Sequence, residues 1–373
     1  MDYNQKRTWA EISLDNIEYN YRRIKEVIGD NCKFLGVVKA DAYGHGALEV
    51  SKRLQLCGAD YLAVSCLDEA VELRQGGIEM PILILGHTPH EFTKQLIELN
   101  LTQTVTNLAK AKEYSGECLA LGKELKIHIK VDSGMSRLGY LCEGDMFEEG
   151  VENMYSSCLL DGLIPEGIYT HFAVSDEEGA ENREYTQKQF ALFTAVINAL
   201  EQKGITFEIR HCANSGAVVS YPETYLDMVR PGLLLYGYGD NGKLGLKPCM
   251  RFVTTISTIK YFEKGTTVSY GRKYTTDKRT RMGILGVGYA DGLPRLASGK
   301  CSYMTPYGMA PQCGTICMDM CMIDLTDVYD AAVGDEVEIF GENCDISLLS
   351  EAAQTIPYEL LCSVTKRVPR IYK

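Results

Sequence analysis

No stretch of the 373-residue chain approaches the roughly eighteen consecutive apolar residues that a membrane-spanning helix needs, so no such span is expected within it. The opening residues, MDYNQKRTWAEI, lack the apolar core of a secretory signal, and a cytoplasmic location is the expectation. Positive charge is in deficit. Against 50 Asp and Glu there are 38 Lys and Arg, and the resulting net charge of -12 argues against a nucleic-acid surface. No low-complexity tract occurs, and no two cysteines stand in CxxC spacing. Cysteine itself is abundant, at 14. Its closest grouping, Cys313, Cys317 and Cys321 in CGTICMDMC, has no paired zinc-ligand spacing and few histidines nearby. The reading is a reduced chain that uses cysteine as a small core residue, with no metal.

What is present is a regular alternation of short β-branched runs and amphipathic stretches. Residues 14–28 place Leu14, Ile17, Tyr21, Ile24 and Ile28 on one helical face. Strand-like runs follow at 34–39, 61–65, 81–85, 101–105, 126–131, 165–171, 207–213 and 227–232, with helical patterns such as 67–75 and 181–203 between them. Eight strand–helix units over this length are what a (β/α)8 barrel requires. Strand counting alone does not distinguish it from a doubly wound open sheet. From residue 248 the texture becomes β-rich, with runs at 251–262, 266–274, 281–290, 301–305 and 336–340 and one helical stretch at 346–355. Two domains are expected: a TIM-like α/β barrel over 1–247 and a mainly-β domain over 248–373. The glycine-rich GILGVGYADG (283–292) has no helix pattern after it, which argues against a dinucleotide fingerprint.

Barrel chemistry collects at strand ends. Lys39, Lys130, His171, His211, Asn214, Ser215 and Arg230 all fall at or near such ends. Each alone has a bland explanation as a solvated cation or a polar cap, but together they converge on one rim. Lys39 suits a Schiff-base lysine, since desolvation at a barrel mouth frees the amine. HCANSG (211–216) and the turn Arg230–Gly232 offer backbone N–H groups and a hydroxyl for a dianion. These residues fit either a pyridoxal-phosphate enzyme or a sugar-phosphate aldolase.

VVKADAYGHG (37–46) closely resembles the pyridoxal-phosphate signature of bacterial alanine racemases. HIKVDSGMSRLG (128–139), THFAVSDE (170–177), HCANS (211–215), VRPGLLLYG (229–237), VSYG (268–271), GYADG (288–292), ICMDMCMIDL (316–325) and IPYELLC (356–362) with RVPRIY (367–372) resemble further family blocks in family order. The resemblance spans essentially the whole chain. It implies a barrel followed by a β domain, pyridoxal 5'-phosphate held on Lys39, and a homodimer with shared active sites. Lys39 is implied to exchange the α-proton on one face of a small amino acid, and Tyr270 of the other subunit to serve the opposite face, with His171 and Arg230 as its neighbours. Racemisation needs a base on each face.

The same resemblance implies that Arg230 meets the pyridine nitrogen, where an arginine keeps its proton and leaves the ring a weaker electron sink. Tyr43, Ser215, Tyr358 and the backbone near Asn214, Gly232 and Leu233 would hold the phosphate. Arg137 would contact the cofactor's phenolic oxygen or the substrate carboxylate, and Met318 of the other chain would present a backbone N–H to that carboxylate, with Asp319 beside it. Lys130 matches a lysine that is carbamylated in many family members. Tyr289 and Tyr358 would narrow the inner entrance. Asp176, His211 and Arg295 match entrance positions, and Thr315 stands where the family often has arginine. Alternatives within reach are the serine racemase domain of a vancomycin-resistance system, which would make this the cytoplasmic part of a longer membrane-anchored protein, and a non-catalytic pyridoxal-phosphate carrier. A decarboxylase of the same fold type is less favoured by Arg230. The bulk of Tyr358 favours alanine over serine.

Overall fold

The computed structural model describes residues 7–373. Its chain divides into two compact units, one built from Ile17–Ala42 and Ala47–Leu246, the other from the N-terminal segment through Asn16, Tyr43–Gly46 and Lys247–Lys373. In the first, eight parallel strands follow one another around a sheet: Lys33–Val37, Tyr61–Val64, Ile82–Ile84, Leu101–Val105, Leu125–Asp132, Leu163–Tyr169, Ile209–His211 and Met228–Val229. The last strand pairs with the first through Met228 opposite Lys33. The remaining seam closes where Asp227 N–H donates to the Arg210 carbonyl at 3.1 Å and Arg230 N–H to the Ala213 carbonyl at 2.9 Å. Closure rules out the doubly wound sheet. These strands are short and almost wholly buried, as expected when helices cover a parallel sheet outside and side chains fill it inside.

The flanking helices form for the reasons their periodicity indicates. Leu14–Ile28 buries Ile17, Tyr21, Ile24 and Ile28, with the Tyr21 ring edge-on to Phe34 at 4.7 Å. Each such buried side chain is worth about 1.5–3 kcal/mol. Leu67–Gln75 has the expected bounds, and Ala180–Gln202 buries Phe193, Val196, Ile197 and Leu200. No described helix is long and apolar enough to cross a membrane.

The second unit is an eight-stranded, mostly antiparallel sheet. Its long strand Met250–Phe262 pairs with both Glu336–Phe340 and Thr280–Leu285, so that a ring of strands closes on itself. Sequence reading missed Gly308–Cys313 and Cys321–Asp324, and took 266–274 for a strand. That stretch is instead a two-residue ladder, Thr267–Val268 with Tyr274–Thr275, around a turn that carries Tyr270.

The chain also crosses between units more often than a single division at 247/248 allows. Thr8–Ile12 pairs with Met250–Thr254 and with Arg370–Tyr372, which places the N-terminal strand in the β unit. Tyr43–Gly46 belongs there too, and the reason is close approach. A Cβ on Gly44 would fall 2.3 Å from the Leu361 carbonyl oxygen, and one on Gly46 would fall 1.9 Å from the Tyr372 hydroxyl. The glycine spacing of AYGHG is therefore a packing requirement against the C-terminal segment.

Candidate active site

Lys39 does not end a strand. The strand stops at Val37, and Lys39 opens a left-handed turn in which Ala40, Asp41, Ala42 and Tyr43 all have φ between 52° and 54°. Left-handed helix costs about 1–2 kcal/mol per L-residue, so other contacts must hold it. Glu69, itself anchored by the Ser65 N–H at 2.6 Å, accepts the Ala40 N–H at 2.6 Å, while Asp41 accepts the Ala47 N–H at 2.8 Å. Lys39 itself is half-buried.

Inside the barrel lies a chain of polar groups that begins at Arg230. This guanidinium is 4% exposed. Its Nη2 donates to the Thr170 carbonyl at 2.8 Å and the Cys212 carbonyl at 3.0 Å, and reaches His171 Nδ1 at 3.3 Å. Its Nη1 donates to His211 Nδ1 at 3.0 Å. The Nε–H is left without a protein acceptor among the described residues. An acceptor role for His211 Nδ1 puts that ring's proton on Nε2, which donates to His128 Nδ1 at 2.9 Å. The His128 proton then sits on Nε2, facing Glu166 Oε2 at 3.3 Å.

Burial works against the Glu166 carboxylate, yet hydrogen bonds from His128, Lys126 and Tyr61 outweigh it and bring its pKa down to about 2. Burial, and then the neighbouring Arg230 charge, holds His171 and His211 well below the usual 6.5, so both are neutral. Burial also lowers Arg230, but only to about 10, and it remains a cation near neutral pH.

Lys130 projects from Leu125–Asp132 and is 6% exposed. Its Nζ has no hydrogen-bond partner among the described residues and stands 4.6 Å from the centre of the Tyr169 ring. Burial, then repulsion from Arg230 and Arg137, pushes its pKa well below 10.5. Two residues on, the buried Asp132 carboxylate accepts the backbone N–H groups of Gly134, Ser136 and Arg137 at 3.1, 2.9 and 3.1 Å. That ring of donors shapes the loop from which the exposed Arg137 extends. Asp132, His128 and Glu166 escaped the sequence reading. The signal for the first two was the strict alternation of polar residues at 126, 128, 130 and 132 within KIHIKVD; Glu166, in Leu163–Tyr169, had none.

An anion cradle lies at the same end. Asn214 caps Ser215–Ser220 by accepting the Ala217 N–H at 3.1 Å, and itself takes the Ser175 hydroxyl at 2.6 Å. Ser215 Oγ accepts the N–H groups of Gly232 at 3.0 Å and Leu234 at 3.5 Å, where the short helix Leu233–Tyr236 begins. Two helix starts thus converge on one hydroxyl, an arrangement suited to a phosphate. His211 is wholly buried between Arg230 and His128, which corrects its expected place at the entrance.

In the β unit, Tyr43 is buried with its ring 5.9 Å from that of Tyr358. Tyr270, Met318 and Tyr289 are exposed, at 71%, 52% and 42%. The GYADG block buttresses the Cys317–Met318 segment: the Tyr289 and Ala290 N–H groups donate to the Cys317 and Met318 carbonyls at 3.0 Å each, and Gly288 leaves no room for a Cβ against them. The buried Asp291 carboxylate pairs with Arg7 at 3.0 Å and Arg367 at 2.7 Å, and Arg367 also holds Asp319 at 2.6 Å.

The fold has counterparts among known proteins. The family model for the alanine racemase N-terminal domain matches residues 12–240, and that for the C-terminal domain matches 249–372. The alanine racemase of Clostridium perfringens is 43% identical over 382 residues, covering 100% of this chain and 97% of that protein. The solved alanine racemase of Clostridium difficile 630 is 38% identical with a TM-score of 0.91, covering 98% of this chain and 95% of that one. Its complex with cycloserine gives 37% and 0.89 over the same coverage. The family is one of pyridoxal-phosphate-dependent isomerases. This chain belongs to the alanine racemase family.

Proposed function

We propose that this chain interconverts L-alanine and D-alanine, supplying D-alanine for peptidoglycan precursors, as a cytoplasmic homodimer. The observation that carries the reading is Arg230, a buried cation with its Nε–H unspent at a barrel mouth that also bears Lys39 and an anion cradle. The residues fit pyridoxal 5'-phosphate. Lys39 would hold it covalently, Arg230 would donate to its ring nitrogen, and Ser215, Asn214, Gly232, Leu233, Tyr43 and Tyr358 would serve its phosphate. Bound pyridoxal phosphate supplies the electron sink that makes an amino acid's α-proton acidic. A permanent cation opposite the ring nitrogen limits that sink, which suits proton exchange over transamination.

Lys39 then moves the α-proton on one face and the partner's Tyr270 moves it on the other, with neutral His171 beside Arg230 helping to set the tyrosine's surroundings. Arg137 and the partner's Met318 N–H would orient the substrate carboxylate. Tyr289 and Tyr358 would restrict the side chain to a methyl group. The high exposure of Tyr270 and Met318 supports their use across a subunit boundary. The test is turnover of L-alanine against L-serine with chiral separation of the products, alongside borohydride reduction and peptide mapping. D-alanine as the favoured product and an adduct on Lys39 are expected. Preferential formation of D-serine, or an adduct on another lysine, would overturn the reading.

A further inference from the structure

The turn that carries Tyr270 is held in a conformation its own residues disfavour. Ser269 has φ 63° and ψ −174°, a region occupied almost solely by glycine, and Arg272 has φ 52°. A serine stays in such a region, at a cost of order 1–3 kcal/mol, only where its surroundings over-determine it. The restraint is a reciprocal pair of hydroxyl bonds to the segment at Thr315. Ser269 Oγ donates to the Thr315 carbonyl at 2.6 Å, and Thr315 Oγ1 donates to the Tyr270 carbonyl at 2.8 Å. Thr315 is 5% exposed, so water does not readily replace either bond. The two segments approach closely. A Cβ on Gly314 would lie 3.0 Å from the Ser269 Cβ and 3.1 Å from the Val268 carbonyl oxygen.

Tyr270, by contrast, is 71% exposed, and its hydroxyl has no hydrogen bond within the chain among the described residues. Its position is therefore set from the backbone side. We propose that Thr315 and Ser269 are positioning residues that aim Tyr270 for proton transfer through this clasp. The proposal rests on the reading of Tyr270 as a base in alanine racemisation. Thr315 acts through the Tyr270 carbonyl and does not touch substrate.

Rate alone cannot isolate this role, because the two enantiomers are equal in energy and their kcat/KM values must change together. Isotope effects can. An α-deuterated enantiomer reports the step of the base that removes its label. Misplacing Tyr270 slows only that base's step, raising the isotope effect for one enantiomer and lowering it for the other. Thr315→Val, which keeps the shape and loses the hydroxyl, is expected to lower kcat about ten-fold. It should retain cofactor, leave KM near wild type and split the two isotope effects in opposite directions. Thr315→Ser restores the donor and should return both to wild-type values. Ser269→Ala, which breaks the other bond, should give the same split and decides the matter should Thr315→Val fail to fold.

A loss of activity that leaves both isotope effects unchanged, or no loss at all, would overturn the clasp. Tyr270→Phe separates the two ideas. If it remains active with wild-type isotope effects, Tyr270 is not a base and the underlying reading fails. If it is inactive while Thr315→Val and Ser269→Ala behave as wild type, only the clasp fails.

Discussion

Replacing Lys130 with methionine probes a buried, unsatisfied group in the barrel. The wild-type Nζ is buried without a hydrogen-bond partner, and Arg230 and Arg137 repel its charged form. An unsatisfied buried donor costs about 1–3 kcal/mol, and an apolar residue of similar volume removes that cost. In protein freed of carbon dioxide, Lys130→Met should therefore unfold at the same or higher denaturant, by about 1–2 kcal/mol. A depressed pKa also leaves more of the amine uncharged and nucleophilic, and addition of carbon dioxide would convert it to a carbamate anion facing those two arginines, with release of one proton. Occupancy at a hundred times the dissociation constant would stabilise the wild type by about 2.7 kcal/mol, and the methionine variant by nothing. Unfolding curves with and without bicarbonate, and a carbamate resonance in isotopically labelled bicarbonate, provide the measurement. Equal stabilisation of both proteins, or no carbamate signal in the wild type, would refute the reasoning. The variant's KM for alanine should rise, because Arg137 loses the anion that would orient it.

Acid should weaken the fold before it reaches the carboxylates. His128 and His211 are wholly buried, and desolvation is the chief cause of their lowered pKa values. Their contribution is complete above the unfolded value near 6.5 and is lost as pH falls, because only the unfolded chain takes up those protons. With His171, lowered by burial in the same way, three such groups give a slope of up to about 4 kcal/mol per pH unit below 6.5, and unfolding midpoints at pH 7.5 and 5.5 should differ accordingly; equal midpoints would contradict neutral burial. Tyr358→Asn should shift preference from alanine toward serine by about ten- to thirty-fold, or about 1–2 kcal/mol, read from the ratio of kcat/KM values. An unchanged ratio would remove Tyr358 from substrate selection.

Much of the fold was legible because local pattern and global position agree. Helix 14–28 and strand 101–105 carry unmixed periodicity and appear with those bounds. Closure of the barrel was not legible, since it depends on backbone bonds at Arg210 and Ala213 that leave no mark on hydrophobic spacing. Gly308–Cys313 was hidden by its proline and glycine, and Thr8–Ile12 by a pairing partner some 240 residues away, with Thr8 opposite Thr254. At the site, Lys39, Arg230 and Ser215 stood out by chemical type. The supports around them did not. Asp132 holds the Arg137 loop through backbone N–H groups, and His128 and Glu166 pass the Arg230 contact inward, roles that exist only once the strands adjoin. Thr315 stood out only as a loss at the entrance, and the bond from its hydroxyl to the Tyr270 carbonyl left no mark in the sequence.

The most direct test of a site completed by two chains is a mixed dimer. Lys39→Ala and Tyr270→Ala homodimers should each be nearly inactive, since each lacks one proton-transfer group in both sites. In a heterodimer purified through two different tags, one site inherits both defects. The other receives intact Lys39 from one chain and intact Tyr270 from its partner. With independent sites, the heterodimer should recover about half the wild-type rate. A heterodimer that forms, binds pyridoxal phosphate and stays as inactive as its parents would show that both bases come from a single chain.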